Sequence, residues 1–478
     1  MDNRKLSLVT DFYELTMSNG YFANNMQNDI AYFDVFFRQI PDNGGYVICA
    51  GLEQIIDYIK NLKFDEDDID YLRSLNKFSD GFLDYLKNFK FTGDVWAIPE
   101  GTVVFPNEPL ITIKAPIIEA QILETMILMI INHQCLIATK ASRIVSAAKG
   151  RPIMEFGARR AHSVDAAVFG ARAAIIGGCV GTSCTYTAQK FGTVASGTMA
   201  HSFIQSFDSE YDAFKAYAEL YPNDCTLLID TYDTINSGIV NAIKVFNEVL
   251  LPKGFRPKAV RLDSGDLAYL SKKIRKILDE AGFEDCKICV SNSLDETLIS
   301  SLLEQGAQID SFGVGENLIT AKSNPVFGGV YKLCATEKDG KITPKIKISE
   351  NTAKITNPGF KKAYRFYSKD TGKALADVIT LFDEVIPESN YVIFDPHNPW
   401  RKKTLVNYTY RPLQEQIFKN GDLVYNSPSL TKISEYCKKE LNTLWDEIKR
   451  LNNPHKYYID LSHELWTLRN DMLKNCNS

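Results

Sequence analysis

The chain has 478 residues, of which 45% are hydrophobic, 24% charged and 11% aromatic, and this ordinary composition excludes a disordered or collagen-like protein. Its 54 Lys and Arg residues against 59 Asp and Glu residues give a formal net charge of −5, so no basic excess points to nucleic acid or an acidic membrane as a partner. At about 150 residues per domain, the length predicts two or three domains.

Two features predict a cytoplasmic protein with no membrane span. The ten cysteines are scattered, and the N-terminal stretch has no apolar signal core, so a reducing compartment is the simplest interpretation. The most apolar charge-free run, residues 125–139, contains Asn132, His133 and Gln134. Because it is too short and too polar to cross a bilayer, we expect a buried helix there.

Residues 1–135 are predicted to form an α+β domain. Residues 30–37 are aromatic and β-branched, and residues 94–113 resemble short strands interrupted by prolines and a glycine. Residues 51–64 and 67–75 have the apolar spacing of helices.

In residues 136–330, short apolar runs alternate with amphipathic stretches, which predicts parallel strands connected by helices. The predicted strands are residues 152–156, 226–229, 259–262, 287–290 and 309–312. The predicted helices are residues 163–176, 239–250, 267–281 and 294–305. Since such crossovers are right-handed, the turns after the strands lie at one end of the sheet, where active sites of barrels are found. The residues expected to converge there on one cavity are Arg159, Asp230, Asp263, Asp266, Asn292 and Gly313.

Residues 331–478 give a weaker signal. Residues 332–359 are polar and Lys-rich with strand-like alternation, and residues 441–451 and 461–473 indicate two terminal helices. We expect this region to pack on both preceding domains.

Two turns contain residues suited to catalysis. His201 lies in a turn of small residues, 197–202 (GTMAHS), so its ring is approachable; the alternative is a surface or capping histidine. Asp263 and Asp266 place two carboxylates in one turn, where they can accept hydrogen bonds from sugar hydroxyls or hold Mg²⁺ through water. The alternative for this turn is capping of the next helix.

Other turns are suited to anions. Gly313 and Gly315 let backbone N–H groups approach a phosphate, although a tight strand-to-helix turn needs the same glycines. Arg159 and Arg160 suit phosphate or carboxylate, or an ion pair with a nearby acid such as Glu155 or Asp165.

Arg261 lies in an apolar strand and therefore needs an anionic ligand or an acidic neighbour. Cys286 and Cys289 have no second ligand pair at zinc spacing, which argues against a metal site. Together these turns suit a phosphorylated sugar as substrate. A sugar-phosphate lyase or isomerase on a barrel fits nearly as well, but no strand-end lysine is placed to form a Schiff base.

Five motifs, in this order along the chain, resemble those of the nicotinate phosphoribosyltransferase family. They are residues 8–17 (LVTDFYELTM), 155–162 (EFGARRAH), 197–202 (GTMAHS), 261–266 (RLDSGD) and 312–317 (FGVGEN). The resemblance extends from about residue 6 to residue 360, with a weaker match beyond. The expected fold is α/β, an irregular TIM-like barrel with an α+β N-terminal domain and a C-terminal extension.

The resemblance implies that nicotinate attacks C1 of phosphoribosyl pyrophosphate, giving nicotinate mononucleotide and pyrophosphate in NAD salvage. ATP hydrolysis is coupled through a transient phosphohistidine, which by motif match is His201. Mg²⁺ is expected to bind through pyrophosphate, with no firm protein ligand. The resemblance also implies a homodimer with the site at the subunit interface, where Tyr13 of the partner subunit covers one face of the pyridine ring.

The same resemblance suggests roles for the remaining residues. Asp263 holds the ribose, Asp266 contributes to substrate binding, and Phe156 offers the pyridine ring a flat apolar face. The residues expected at the pyrophosphate are Arg159 and Arg160. The residues expected at the 5′-phosphate are Ser291, Asn292, Gly313 and Gly315.

The sequence favours nicotinate over nicotinamide as the base. Similar enzymes that use nicotinamide carry an Asp where this chain has Ser183, and an Asp would repel the carboxylate of nicotinate whereas a serine hydroxyl can donate to it. Arg261 is expected to help balance that charge. Two departures from the family pattern are Cys184, where many relatives have Asn, and Met199, where many have His; the loss of that second His is expected to alter the coupling to ATP hydrolysis.

Three other functions remain open. They are a nicotinamide phosphoribosyltransferase, a sugar-phosphate lyase or isomerase on the same barrel, and a non-catalytic binding protein in which His201 lies far from the acids.

Overall fold

The computed structural model describes residues 4–351, 354–396 and 398–475. The chain divides into two compact units: unit 1 combines Met1–Leu136 with Val326–Ser478, and unit 2 is Ile137–Pro325. The N-terminal and C-terminal regions, which the sequence predicts as separate domains, thus belong to one unit. The division into three domains stays a prediction.

The N-terminal part of unit 1 mixes short helices and strands. Its helices are α1 (Phe12–Ala23), α2 (Leu52–Asn61), α3 (Glu66–Ser74), α4 (Asp80–Lys87) and α5 (Ile117–Ile122). Its strands are β1 (Ile30–Phe36), β2 (Val47–Ile48), β3 (Asp94–Ala97), β4 (Val103–Val104) and β5 (Ile111–Pro116). Local chemistry sets the helix starts: Asp65 accepts from the N–H of Asp68 while the Asp68 side chain accepts in return, a capping box that begins α3. The strands and helices predicted for this region are confirmed.

A long helix, α6 (Glu124–Ala147), follows α5. The stretch Ile117–Ala147 is long and apolar enough to cross a membrane by length and composition alone, but 61% of its most apolar window is buried within the protein. Ile127, Ile131 and Ile137 are almost fully buried, as in the core helix of a globular protein, and the predicted buried helix is confirmed. Residues 1–3, at the start of the stretch without a signal core, lie outside the described residues.

Unit 2 alternates strands and helices. Its strands are β6 (Ile153–Glu155), β7 (Gly181–Thr182), β8 (Thr226–Leu228), β9 (Ala259–Leu262), β10 (Lys287–Val290) and β11 (Ser311–Val314). Its helices are α7 (Val164–Ile176), α8 (Thr185–Phe191), α9 (His201–Gln205), α10 (Glu210–Leu220), α11 (Ile239–Val245), α12 (Leu267–Glu280), α13 (Glu296–Glu304) and α14 (Glu316–Ile319). All five predicted strands and four predicted helices of this region are present, with α11 continued by a π-helical turn over Phe246–Leu250.

The six strands of unit 2 form one parallel sheet in the order β7-β6-β11-β10-β9-β8. The last strand along the chain, β11, thus pairs with the first, β6. Within the described ranges β7 and β8 do not pair, so the sheet is open and the prediction of a TIM-like barrel is not confirmed. The reason is that alternating strands and helices predict parallel neighbours but do not fix whether the two outermost strands meet.

The C-terminal part of unit 1 is largely β-structure. Its strands are β12 (Val330–Lys338), β13 (Lys341–Pro344), β14 (Lys361–Ser368), β15 (Ala374–Leu381), β16 (Tyr391–Phe394), β17 (Lys402–Leu405), β18 (Tyr408–Pro412), β19 (Glu415–Lys419), β20 (Asp422–Leu423) and β21 (Ile459–Leu461). Its helices are α15 (Leu430–Thr443) and α16 (His463–Asn475). The second predicted terminal helix is confirmed, but the first is wrong, because α15 ends at Thr443 where Leu444 turns to an extended conformation.

Unit 1 is held together by strands from both ends of the chain. Its main sheet has the order β13-β12-β1-β5-β3-β19-β20, and a second sheet has the order β18-β14-β15-β21. In the main sheet Ile30 of β1 faces Glu337 of β12, and Ala97 of β3 faces Glu415 of β19. The strand-like alternation in residues 332–359 corresponds to β12 and β13, and residues 352 and 353 of that stretch lie outside the described residues.

Candidate active site

Arg261 organises the carboxyl end of the parallel sheet. It is the third residue of β9, and three of its guanidinium nitrogens donate to different side chains. Nε donates to Oγ of Ser291 at 3.0 Å, Nη2 to Oδ1 of Asp263 at 3.0 Å and Nη1 to Oγ1 of Thr198 at 3.2 Å. The acidic neighbour that the sequence requires for Arg261 is therefore Asp263, two residues further along the chain.

The turn after β9 is fixed by a second, buried carboxylate. Asp230 is only 9% exposed, and its Oδ2 accepts from the N–H of Asp263 at 2.8 Å and from Oγ of Ser264 at 2.6 Å. Asp263 Oδ1 also accepts from the hydroxyl of Ser291. The other oxygen of Asp230, Oδ1, is buried without a hydrogen-bond partner. Asp230 thus binds the backbone and a hydroxyl of the turn after β9, and its second oxygen can accept a further hydrogen bond.

His201 stands at the first position of α9, beside these acids. Its Nδ1 lies 3.1 Å from Oγ1 of Thr231, and its Nε2 lies 3.8 Å from Oδ2 of Asp263. The His201 side chain is 38% exposed, so a reagent can reach the ring. The reading of His201 as distant from the acids is excluded by these distances.

Phe156, directly after β6, forms one wall near Arg261. The Arg261 guanidinium carbon lies 5.7 Å from the centroid of the Phe156 ring, within cation–π range. The ring packs against Gly313 of β11 so closely that a Cβ on Gly313 would lie 2.4 Å from Cδ2 of Phe156. Gly313 is thus required for the position of the ring, whatever else its backbone does.

Glu155, the last residue of β6, is fully buried. Its carboxylate accepts from Oγ1 of Thr182 at 2.6 Å and from the N–H of Gly157. Burial raises the pKa of Glu155, and these two hydrogen bonds oppose that rise. The carboxylate therefore ties the turn after β6 to strand β7, and Ser183, whose side chain is exposed, follows that strand.

The turn after β10 has an unusual backbone. Asn292 and Ser293 both have positive φ angles, of 98° and 47°, a conformation that non-glycine residues adopt at a cost. The Asn317 amide donates to the carbonyls of Ser293 and Leu294 at 2.8 and 3.2 Å. Asn317 of α14 thus holds the backbone of this turn in place.

Four predicted residues stand apart from this cluster in the described contacts. Arg159 and Arg160 lie in an exposed turn after β6, where Arg160 Nε is 3.8 Å from Oε2 of Glu316. Asp266 caps α12 by accepting from the N–H of Tyr269 at 3.0 Å, which was the alternative for that turn. Tyr13 belongs to unit 1, on α1, where its ring is half-exposed.

Within the described ranges, no group of three or more His, Cys, Asp or Glu side chains is arranged to hold a metal ion. Cys286 and Cys289 are both buried free thiols, and burial raises the pKa of each.

The chain matches three domain families over most of its length. The nicotinate phosphoribosyltransferase N-terminal domain matches residues 8–132, the nicotinate phosphoribosyltransferase family residues 152–378 and the C-terminal domain residues 360–469. The nicotinate phosphoribosyltransferase of Bacillus subtilis is 45% identical over 97% of this chain and 94% of that protein. A nicotinate phosphoribosyltransferase of Mycobacterium tuberculosis is 41% identical, covering 96% of this chain and 92% of the relative.

The chain belongs to the nicotinate phosphoribosyltransferase family. The crystal structure of human nicotinic acid phosphoribosyltransferase superposes with a TM-score of 0.86 at 28% identity, covering 97% of this chain and 99% of that one. The resemblance inferred from the five motifs is confirmed.

Of the residues expected to converge on one cavity, the structure brings together Asp230 and Asp263, and it places beside them three further predicted site residues: His201, Arg261 and Ser291. Phe156 and Gly313 adjoin them through the Arg261 contact. Four polar residues that contact the cluster or brace its turns are not on the predicted list: Glu155, Thr182, Thr198 and Thr231. Thr182 ends β7 and Thr231 lies in the turn after β8, and for these two that position was the available signal, whereas Thr198 lies between α8 and α9.

Proposed function

We propose that this member of the nicotinate phosphoribosyltransferase family transfers the phosphoribosyl group of phosphoribosyl pyrophosphate to nicotinate in NAD salvage. The pyridine nitrogen forms a bond to C1 of the ribose while the bond from C1 to the pyrophosphate oxygen breaks, giving nicotinate mononucleotide and pyrophosphate. The observation that carries the proposal is the cluster of Arg261, Asp263 and Ser291 beside His201.

The base site is proposed to lie between Phe156, Arg261 and Ser183. The Phe156 ring supplies a flat apolar face, and the Arg261 guanidinium lies 5.7 Å from its centroid, close enough to attract the carboxylate of nicotinate. The exposed Ser183 hydroxyl can donate to that carboxylate. An Asp at position 183 would favour an amide instead, so nicotinamide is the weaker candidate.

The sugar and phosphates are assigned to neighbouring turns. Asp263 accepts from the ribose hydroxyls, with Asp266 at the far end of the same turn, and the exposed Arg159 and Arg160 supply positive charge for pyrophosphate. The 5′-phosphate is proposed to bind at the backbone donors of four residues: Ser291, Asn292, Gly313 and Gly315. The positive φ angles of the turn after β10 support this role, because such turns direct N–H groups to an anion.

The residues present fit Mg²⁺ as a partner of pyrophosphate. The buried Asp230 Oδ1 has no hydrogen-bond partner and lies next to Asp263, and one or two carboxylates plus substrate phosphates are the usual ligands of Mg²⁺. When bound, the ion neutralises charge on the leaving pyrophosphate.

ATP coupling is proposed to proceed through His201. A bond forms between a ring nitrogen of His201 and the γ-phosphorus of ATP as the bond to ADP breaks, and water later releases inorganic phosphate and regenerates the histidine. The Thr231 contact at Nδ1 fixes the orientation of the ring.

We further infer a cytoplasmic homodimer in which Tyr13 of the partner subunit covers the base. Phe12, Tyr13 and Met17 of α1 are 46%, 45% and 39% exposed, an apolar group suited to an interface.

The strand order of unit 2, in which β11 pairs with β6, supports a barrel opened between β7 and β8.

The test is an incubation with nicotinate, phosphoribosyl pyrophosphate, Mg²⁺ and ATP, analysed by mass spectrometry for wild type and His201→Ala. Nicotinate mononucleotide and an acid-labile phosphate on the wild type, with that phosphate absent from the variant, are expected. Mononucleotide without phosphoprotein would refute the coupling. No mononucleotide would refute the transferase and favour a sugar-phosphate lyase or isomerase, and turnover of nicotinamide at equal efficiency would refute the choice of base.

A further inference from the structure

Four groups form a continuous hydrogen-bonded network under the proposed base site, here named the Glu155 network. Oε2 of Glu155 accepts from Oγ1 of Thr182 at 2.6 Å, and Oε1 accepts from the N–H of Gly157. The same Thr182 hydroxyl oxygen accepts from the N–H of Cys184 at 2.9 Å. The network thus runs from the turn after β7 to the turn after β6.

The network encloses the two residues proposed to hold the base. Phe156 lies between Glu155 and Gly157 in the chain, and Ser183 lies between Thr182 and Cys184. Glu155 and Thr182 face each other in the parallel pairing of β6 with β7, and the N–H of Ser183 donates to the Glu155 carbonyl at 2.8 Å. These bonds therefore hold the backbone on both sides of Phe156 and of Ser183.

Glu155 is a costly residue to bury, and its two carboxylate oxygens explain why it stands there. It is fully buried, and its two hydrogen-bond donors are a neutral hydroxyl and a neutral amide. A buried carboxyl group without a cationic partner is expensive compared with an apolar residue of similar size. What it supplies in return is two acceptor oxygens at a fixed separation, so one side chain can hold two separate turns.

The packing leaves little freedom at either turn. A Cβ on Gly157 would lie 2.6 Å from Cβ of Ile319 and 2.8 Å from Oε1 of Glu155. On the other side Phe156 is pressed against Gly313. The position of the ring therefore depends on the turn that Glu155 anchors.

We propose that Glu155 and Thr182 are positioning residues that set the spacing between Phe156 and Ser183, and so determine affinity and selectivity for the pyridine carboxylate. This inference rests on the proposed function, because it presupposes that the base binds between those two residues. Neither Glu155 nor Thr182 touches the substrate.

The test compares Thr182→Val, Thr182→Ser and wild type by steady-state kinetics. Valine keeps the shape of threonine but removes the hydroxyl, which leaves the Glu155 oxygen and the Cys184 N–H unpaired, whereas serine retains the hydroxyl. We expect Thr182→Val to raise KM for nicotinate about tenfold, because the valine leaves two buried polar groups without a hydrogen-bond partner. We also expect it to reduce the preference for nicotinate over nicotinamide, with kcat and KM for phosphoribosyl pyrophosphate changed less than about twofold. Thr182→Ser should restore wild-type values.

Ser271→Ala is the matched control. Ser271 is a fully buried hydroxyl of the same unit, donating to the Ala268 carbonyl and accepting from the N–H of Gln308, which precedes β11 at the opposite end of the sheet. Its loss should lower Tm without changing KM for nicotinate. If Thr182→Val does not fold, Glu155→Gln answers the same question, because an amide nitrogen cannot accept a hydrogen bond.

Two outcomes overturn the inference while the proposed function stands. One is an unchanged KM for nicotinate in Thr182→Val. The other is an equal change in KM for nicotinate and in KM for phosphoribosyl pyrophosphate, together with a lower Tm. Absence of nicotinate mononucleotide with wild type would instead refute the proposed function and the inference together.

Discussion

Replacing Gly313 with alanine places a methyl group where the Phe156 ring already lies. The added Cβ would be 2.4 Å from Cδ2 and 2.5 Å from Cε2 of that ring, about 1 Å inside the optimal carbon–carbon separation. Overpacking of this kind costs about 1–3 kcal/mol, and the ordinary advantage of Ala over Gly in a strand returns about 0.5–1 kcal/mol. The expected net loss of stability therefore lies between about 0 and 2.5 kcal/mol, centred on about 1 kcal/mol.

The assay combines urea denaturation, which gives the free energy of unfolding, with steady-state kinetics that give KM for nicotinate and KM for phosphoribosyl pyrophosphate. Displacement of the Phe156 ring should also weaken binding of nicotinate, and a loss of about 1.4 kcal/mol in binding free energy would raise KM for nicotinate about tenfold. The double variant Gly313→Ala with Phe156→Leu removes the ring that the methyl group meets, so the two losses should be clearly less than additive.

The same measurement separates two roles for Gly313. If its backbone mainly binds the 5′-phosphate, as proposed from the sequence, KM for phosphoribosyl pyrophosphate should rise instead. Unchanged stability together with an unchanged KM for nicotinate would refute the packing argument outright.

Two further predictions concern charge. Arg261→Lys keeps the charge but cannot bond Ser291, Asp263 and Thr198 from one planar group, so KM for nicotinate should rise at least about tenfold in steady-state kinetics, and wild-type kinetics would contradict this. Burial raises the pKa of Glu14 from 4.5 to about 7. Between these values the folded state keeps a proton that the unfolded state has lost, so the contribution of Glu14 to stability falls as pH rises. The free energy of unfolding of wild type should therefore fall by about 2 kcal/mol relative to that of Glu14→Gln as the pH is raised from 5 to 8. Urea denaturation at several pH values measures this difference, and a difference that does not change with pH would contradict the prediction.

The parts of the site that sequence predicted are those set by local order along the chain. A strand followed by a polar turn and a helix puts Asp263 and Ser291 at strand ends, and parallel topology brings neighbouring strand ends together. Arg261 lies in an apolar strand, and this position predicted an acidic neighbour or an anionic ligand. The contacts that were not predicted depend on register: Glu155 meets Thr182 only because β6 and β7 pair at that residue, and a shift of one residue would turn the side chain to the other face.

The β-structure of the C-terminal region was missed for a related reason. Strands such as β14 and β15 owe their stability to partners far away in the sequence, and their burial pattern is irregular. The alternation of apolar and polar residues within one segment therefore does not identify the distant strand with which it pairs.

The pairing of both chain ends within unit 1 has a consequence for synthesis on the ribosome. Strand β1 hydrogen-bonds to β12, and β3 to β19. In each pair the second strand is synthesised roughly 300 residues after the first, which takes about 15 to 60 s at ordinary translation rates. Unit 2 is contiguous in the chain and has all its strands once Pro325 has emerged. During that interval β1 and β3 present unpaired, largely apolar edges, and the nascent chain is at its most vulnerable to aggregation before its last third is complete.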